Sequence, residues 1–221
     1  MAEKIWHKSY APGVKKSLDY DKLTIPQALT RSARNFPDHT ALNYMGKKIT
    51  YKELDGLVNR FARALSDLAI KPGDKVAVCL PNIPQVIITN LAVLRIGAVT
   101  VQNNPLYTKR ELAYQLNDSG SKIVITLTLL IPRMQALKSK TGLEKIIGCH
   151  IHTYLPFPKK QLFPFVKKDM YRKVEPTAEV LVFNDLIDKY SPEAVEDNSR
   201  WDELAALLYT GGTTGVSKGV M

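Results

Sequence analysis

Nine residues, Thr210 to Lys218, combine three glycines, four hydroxyls and one lysine. That mixture suits a polyphosphate. Gly211, Gly212 and Gly215 let backbone N–H groups approach an anion closely and tolerate positive φ. Thr210, Thr213, Thr214 and Ser217 offer hydroxyl donors, and Lys218 offers a point charge. The spacing is not that of the ordinary P-loop, because Lys218 is followed by Gly219 rather than Ser or Thr. It is not G-x-G-x-x-G either. Two readings stand: a phosphate cradle, or a flexible glycine-rich surface loop. The apolar run Ala205 to Leu208 just before it is expected to be a buried strand.

The elements that must position this loop follow from periodicity. Thr24-Ile25-Pro26-Gln27 has the form of a helix start with reciprocal capping, and that helix is expected to run to about Asn35. Ala41–Tyr44 and Lys48–Thr50 flank Met45-Gly46-Lys47 as a hairpin. Thr50 and Glu53 form a second capping box, opening the most regular helix, with Leu54, Leu57, Val58, Phe61, Ala62, Leu65 and Leu68 on one stripe. Thr108 and Glu111 form a third. From Val76 to Ile151 the chain reads strand, helix, strand, helix, strand, helix, strand. The helices are expected at 82–96, 108–117 and 129–139, and the last strand at 144–151. Such alternation predicts an α/β fold with a doubly wound, mostly parallel sheet flanked by helices and right-handed crossovers.

The expected organisation is an irregular lead-in over 1–23, a helix-hairpin segment plus α/β subdomain over 24–152, an insert over 153–178, and a continuation over 179–221. The continuation holds a strand at 179–183, a helix at 185–190, a polar linker and the final strand. The insert carries Pro156, Pro158, Pro164 and Pro176, and between Leu155 and Lys173 it interleaves aromatics with six cations. It reads as a segment lying on an anionic membrane, where each cation is worth about 1 kcal/mol. It also reads as a solvated excursion whose aromatics pack on the sheet.

Net charge is +10, from 31 Lys and Arg against 21 Asp and Glu, which favours anionic partners. The cations are scattered and no nucleic-acid module is present, so nucleic acid is not expected. Cys79 and Cys149 sit in apolar runs and read as buried free thiols of a reducing compartment. His150 and His152 would share one strand face in i, i+2 spacing, but no further ligand lies near in sequence, so a structural pair is expected and no metal site. No Ser-His-Asp or Cys-His arrangement is present. Asn104, Tyr107 and Thr108 form a polar turn after a strand end, expected to cap the next helix. No apolar stretch approaches the roughly 18 residues that span a bilayer, and Met1 to Lys16 lacks the apolar core of a secretory signal. A cytoplasmic protein, peripheral at most to the inner membrane face, is expected.

Thr210-Gly-Gly-Thr-Thr-Gly-Val-Ser-Lys218 resembles the phosphate-loop signature of the adenylate-forming (AMP-binding) superfamily, which holds the acyl-CoA synthetases, firefly luciferase and peptide-synthetase adenylation domains. Further stretches share the likeness: Thr40–Leu54, Lys71-Pro-Gly-Asp-Lys-Val-Ala-Val78, Asn104-Pro-Leu-Tyr-Thr108 and the lead-in Trp6–Val14. The last two resemble the medium- and long-chain fatty acyl-CoA ligase branch. The resemblance implies carboxylate adenylation by ATP, then thioester formation with coenzyme A. ATP with Mg²⁺, coenzyme A and a fatty acid are the implied cofactors and substrates, and a homodimer is admitted. It also implies that the catalytic residues, adenine and ribose contacts, hinge and C-terminal domain lie beyond Met221. The chain is therefore expected to be the N-terminal region of the acyl-CoA synthetase fold, truncated and inactive alone. Two alternatives stay open: an adenylate-forming enzyme for another acid, such as an aromatic carboxylate, and a non-catalytic nucleotide- or membrane-binding module.

Overall fold

A computed structural model describes residues 4–210 and 217–221. Helix α1 (Ile25–Asn35) opens on the Thr24–Gln27 capping box. Strands β1 (Thr40–Tyr44) and β2 (Lys47–Thr50) pair antiparallel across Met45 and Gly46. Both turn residues have positive φ, the twist that a two-residue hairpin requires. Helix α2 (Tyr51–Asp67) follows with its Thr50–Glu53 box intact.

The α/β alternation then runs β3 (Lys75–Cys79), α3 (Pro84–Arg95), β4 (Val99–Gln102), α4 (Lys109–Ser119), β5 (Ile123–Leu127), α5 (Ile131–Gln135) and β6 (Lys145–Cys149). After it come α6 (Lys159–Val166), β7 (Val180–Val182), α7 (Phe183–Lys189), β8 (Ala206–Thr210) and β9 (Lys218–Val220). The order across the larger sheet is β7-β6-β5-β3-β4-β8-β9. Every pairing is parallel except that of β8 with β9.

Both faces of this sheet are covered. Val76 and Val78 face one core, with Phe61 and Leu65 of α2, Ile88 of α3 and Phe183 of α7. Ala77 and Cys79 face the other, with Leu112 and Leu116 of α4 and Met134 of α5. The strict alternation of Val76, Ala77, Val78 and Cys79 between cores is the period-two geometry of a strand buried on both sides. Cys79 and Cys149 are buried and free, as expected. Burial pushes the Cys79 thiol up to about 11.

Several boundaries move. The helix expected at 129–139 is broken into a 3₁₀ turn at Thr128–Leu130, α5 and a second 3₁₀ turn at Lys138–Lys140. Pro132, which has no N–H, fits only a first helical turn and starts α5 afresh. The strand expected at 144–151 stops at Cys149, where its partner β5 also ends. His150 and His152 therefore lie in the turn beyond it, not on a strand face. The strand expected to be buried at 205–208 is present as β8, but Leu208 is 54% exposed because α4 covers only the opposite face.

One buried charge joins the first three helices. Arg95, at the end of α3, is buried and donates to Asp55 Oδ1 of α2 at 2.8 Å and to Thr30 Oγ1 of α1 at 3.0 Å. It also donates to Asn59 Oδ1. A guanidinium out of water persists only with such partners. Asp55→Ala removes the one carboxylate while leaving the cation inside, and should cost about 3 kcal/mol. Urea denaturation of the two proteins measures this directly, with an unchanged midpoint as the contrary result.

Candidate functional site

The phosphate-loop candidates divide into two groups. Gly211, Gly212, Thr213, Thr214 and Gly215 lie outside the described residues. Thr210, Ser217 and Lys218 are described. Thr210 ends β8 and Lys218 begins β9, and the two are direct partners across the antiparallel pair. Residues so paired share a face. The two ends of the loop are thus joined by a hairpin that puts Thr210 and Lys218 on one face. Both side chains are exposed and Ser217 is half-buried.

The sheet aims this hairpin. β8 lies parallel to β4, with Thr100 opposite Ala206 and Gln102 opposite Leu208. Thr210 therefore emerges at the edge where β3, β4, β5 and β6 all end. Open α/β sheets bind ligands outside these carboxyl ends, where successive connections leave toward opposite faces. α3, following β3, packs in one core and α4, following β4, in the other. The switch point thus lies between β3 and β4, with β8 the next strand beyond β4. A separate cleft of about 210 Å³, lined by Thr24, Gly97, Trp201 and Ala205 among others, lies at the opposite, N-terminal ends of β4 and β8.

Tyr209 anchors the hairpin. Its ring turns to the face opposite Thr210, and its hydroxyl donates to Asp118 Oδ2 of α4 at 2.7 Å. Burial first, and then the Asp118 carboxylate, hold the phenol well above its ordinary value. Across the pair stands Gly219, where an added Cβ would sit 3.3 Å from the Tyr209 ring. A larger residue there would press on the anchor. Sequence reasoning missed both this link and β9. Tyr209 and Asp118 are 91 residues apart, and Lys-Gly-Val carries no strand signal of its own.

The Asn104–Thr108 turn has the expected capping role. Asn104 Oδ1 accepts from Leu106 N–H, Thr108 caps α4 through Glu111, and the Tyr107 carbonyl accepts from Arg133. Just before the turn, Asn103 is buried and donates to Gln115 Oε1.

His150 and His152 are 5.3 Å apart, centroid to centroid, and part of the insert folds onto them. Tyr171 stacks on His150 at 5.6 Å, and Phe163 stacks on His152 at 5.3 Å. Among the described residues no group of three His, Cys, Asp or Glu could hold a metal. Burial lowers both imidazole values, with the neighbouring His150 and Lys160 adding to the effect on His152 and Asp185 opposing it at His150.

A family model described as AMP-binding enzyme matches residues 29–221. The chain belongs to the AMP-binding enzyme family. A long-chain-fatty-acid–CoA ligase of Bacillus subtilis strain 168 is 36% identical over 223 residues, covering 100% of this chain and 40% of that protein. The corresponding ligase of Haemophilus influenzae is 34% identical, covering 99% of this chain and 40% of its own length. This AMP-binding chain thus spans about two fifths of the length of these curated relatives. Among solved structures, an anthranilate CoA ligase bound to anthranoyl-AMP superposes with a TM-score of 0.73 at 21% identity, over 88% of this chain and 33% of that one. A long-chain-fatty-acid CoA ligase from Archaeoglobus fulgidus superposes with a TM-score of 0.71 at 24% identity, over 93% and 37%. These likenesses establish the fold, the doubly wound sheet of the AMP-binding enzymes.

Two outcomes follow. Tyr209→Phe should cost about 1 kcal/mol of local stability, since the Asp118 carboxylate is exposed. Hydrogen exchange should speed up in β8 and β9 and not in β3, and uniform rates would contradict the anchor. For the histidines the sign is fixed by direction: a lowered value in the folded state means stability is fully present above the ordinary imidazole value of 6.5 and falls as pH drops below it. Limited proteolysis should therefore cut residues 153–178 faster at acid than at neutral pH, and His152→Phe should blunt that difference.

Proposed function

We propose that this chain is the N-terminal part of an ATP-dependent fatty acyl-CoA ligase. The observation that carries the reading is identity along the whole chain to proteins named long-chain-fatty-acid–CoA ligase in two organisms, 36% and 34%. In the proposed reaction the carboxylate attacks the α-phosphorus of ATP, giving an acyl-adenylate and releasing pyrophosphate. The thiol of coenzyme A then displaces AMP from the acyl carbon.

The hairpin geometry supports a division of labour. Thr210 and Lys218, paired at the loop's base, would grip the departing β- and γ-phosphates together with Thr213, Thr214, Ser217 and the N–H groups of Gly211, Gly212 and Gly215. Charge grows on the bridging oxygen as pyrophosphate leaves, and preorganised donors stabilise it without reorganising. Magnesium would enter with ATP and neutralise phosphate charge. Among the described residues no cluster of side chains is placed to hold it. Alone, the chain would bind at most the phosphate end of ATP and would not turn over. The basic insert, with six cations between residues 155 and 173, would be the part that meets a membrane from which a long-chain acid is drawn.

The test compares two half-reactions in an enzyme of the relatives' length carrying this sequence. Lys218→Ala should slow fatty-acid-dependent ATP–pyrophosphate exchange by roughly thirtyfold, the loss of about 2 kcal/mol for one charge-assisted contact. Thioester formation from preformed acyl-adenylate should change far less. Equal slowing of both steps would reject the phosphate role, and fatty-acid-dependent exchange by the 221-residue chain would reject its dependence on further segments.

A further inference from the structure

The insert has two sides. On one, Leu155 is buried, and Phe163 and Tyr171 are stacked on the histidine pair. This side pins the segment to the molecule. On the other, Phe157 is 82% exposed, Phe165 72%, Val166 70% and Leu162 51%. Leu162, Phe165 and Val166 stand at i, i+3 and i+4 of α6 and so form one face. Four large apolar side chains gathered within ten residues, 157–166, are far from the scattered exposure normal to a surface.

Charge identifies the occupant. Lys159, Lys160, Lys167 and Lys168 bracket the apolar face, all exposed, and Arg172 and Lys173 follow. Between residues 155 and 173 there are six cations against one carboxylate, Asp169. Among the described residues none of the six is in an ion pair. Apolar side chains that need hydrocarbon, ringed by cations that need phosphate, match the boundary between acyl chains and headgroups of an anionic bilayer. Prolines at 158 and 164 keep the helix short, so the segment can lie on the surface but not cross. Among the described residues no helix is long and apolar enough to span a membrane.

We propose that residues 157–168 are a docking surface for an anionic lipid bilayer, with Phe157, Leu162, Phe165 and Val166 entering the acyl boundary and Lys159, Lys160, Lys167 and Lys168 meeting lipid phosphates. The segment joins β6 to β7, at the far edge of the sheet from the β8–β9 hairpin. Docking there leaves the hairpin free. The inference stands on this surface and does not depend on the ligase reading.

The experiment is co-sedimentation of the purified chain with vesicles of phosphatidylcholine alone or mixed with phosphatidylglycerol, at low and high salt. The wild-type chain should bind the mixed vesicles at low salt and be partly released at high salt. F165S/V166S should lose about tenfold or more in partitioning, the burial of two apolar side chains being removed. K159Q/K160Q/K167Q/K168Q should lose the preference for phosphatidylglycerol. All substituted side chains are exposed, so thermal unfolding should match wild type and serves as the control for folding. Absence of binding to mixed vesicles at low salt overturns the proposal, as does equal binding by F165S/V166S. A dimer in sedimentation velocity that F165S/V166S dissolves would assign the face to a second copy of the chain and overturn it too. Since vesicle binding is read without ATP or turnover, such a failure leaves the ligase reading intact.

Discussion

Parallel strands bring their C-terminal ends to one edge of a sheet, and β8 joins that edge through its register with β4, Ala206 beside Thr100 and Leu208 beside Gln102. The position of Thr210 and Lys218 depends on this register. A slip of one residue would turn Tyr209 to solvent and swing Thr210 toward α4, because successive side chains alternate faces. The Tyr209–Asp118 bond opposes such a slip by tying one strand face to one helix. The loop is therefore located by backbone pairing on one side and by a single side-chain anchor on the other.

The sheet that sets this register is held from both faces. Its central strands are mostly apolar and buried, so their backbone groups are satisfied chiefly by their neighbours in the ladder. The first core is the larger and depends on α2 and α3 keeping their relative position. Arg95 secures that position from within. Its guanidinium reaches Asp55, Asn59 and Thr30, so that α1, α2 and α3 share one buried donor fork. A buried ion pair of this kind specifies geometry more than it adds stability, since desolvation offsets much of its Coulomb gain.

The insert shows how one segment can be held and offered at once. Phe163 and Tyr171 stack on the two imidazoles, holding the segment by ring contact. The residues between and beside them are then turned outward by helical geometry. Of the two sequence readings of this stretch, the packed aromatics describe the side on the histidines, and the membrane-surface reading is the one proposed for the exposed side. Neither requires the chain to leave the sheet edge to which it is attached.

Much of the architecture was legible from local signals. The three capping boxes at Thr24, Thr50 and Thr108 act within four residues and form as their spacing dictates. The apolar runs at Val76, Val99 and Ile123 are strands because a sheet covered on both faces needs continuous hydrophobic runs. The phosphate-loop pattern and the family it resembles could likewise be read from residue types and spacing. Other features were decided only in three dimensions. Periodicity could not tell that β6 stops at Cys149, because the end is set by the length of its partner β5. Nor could it tell that β8 is half exposed, which depends on how far α4 reaches. The Arg95 network, the Tyr209 anchor and the stack on His150 and His152 join residues 11 to 91 positions apart, and nothing within a local window marks such partners. The sequence by itself determined most of the elements and the donor types of the loop, because capping, periodicity and residue type act over a few residues. The tertiary structure alone decided which side chains hold that loop at the sheet edge, because those contacts exist only once distant segments share a core.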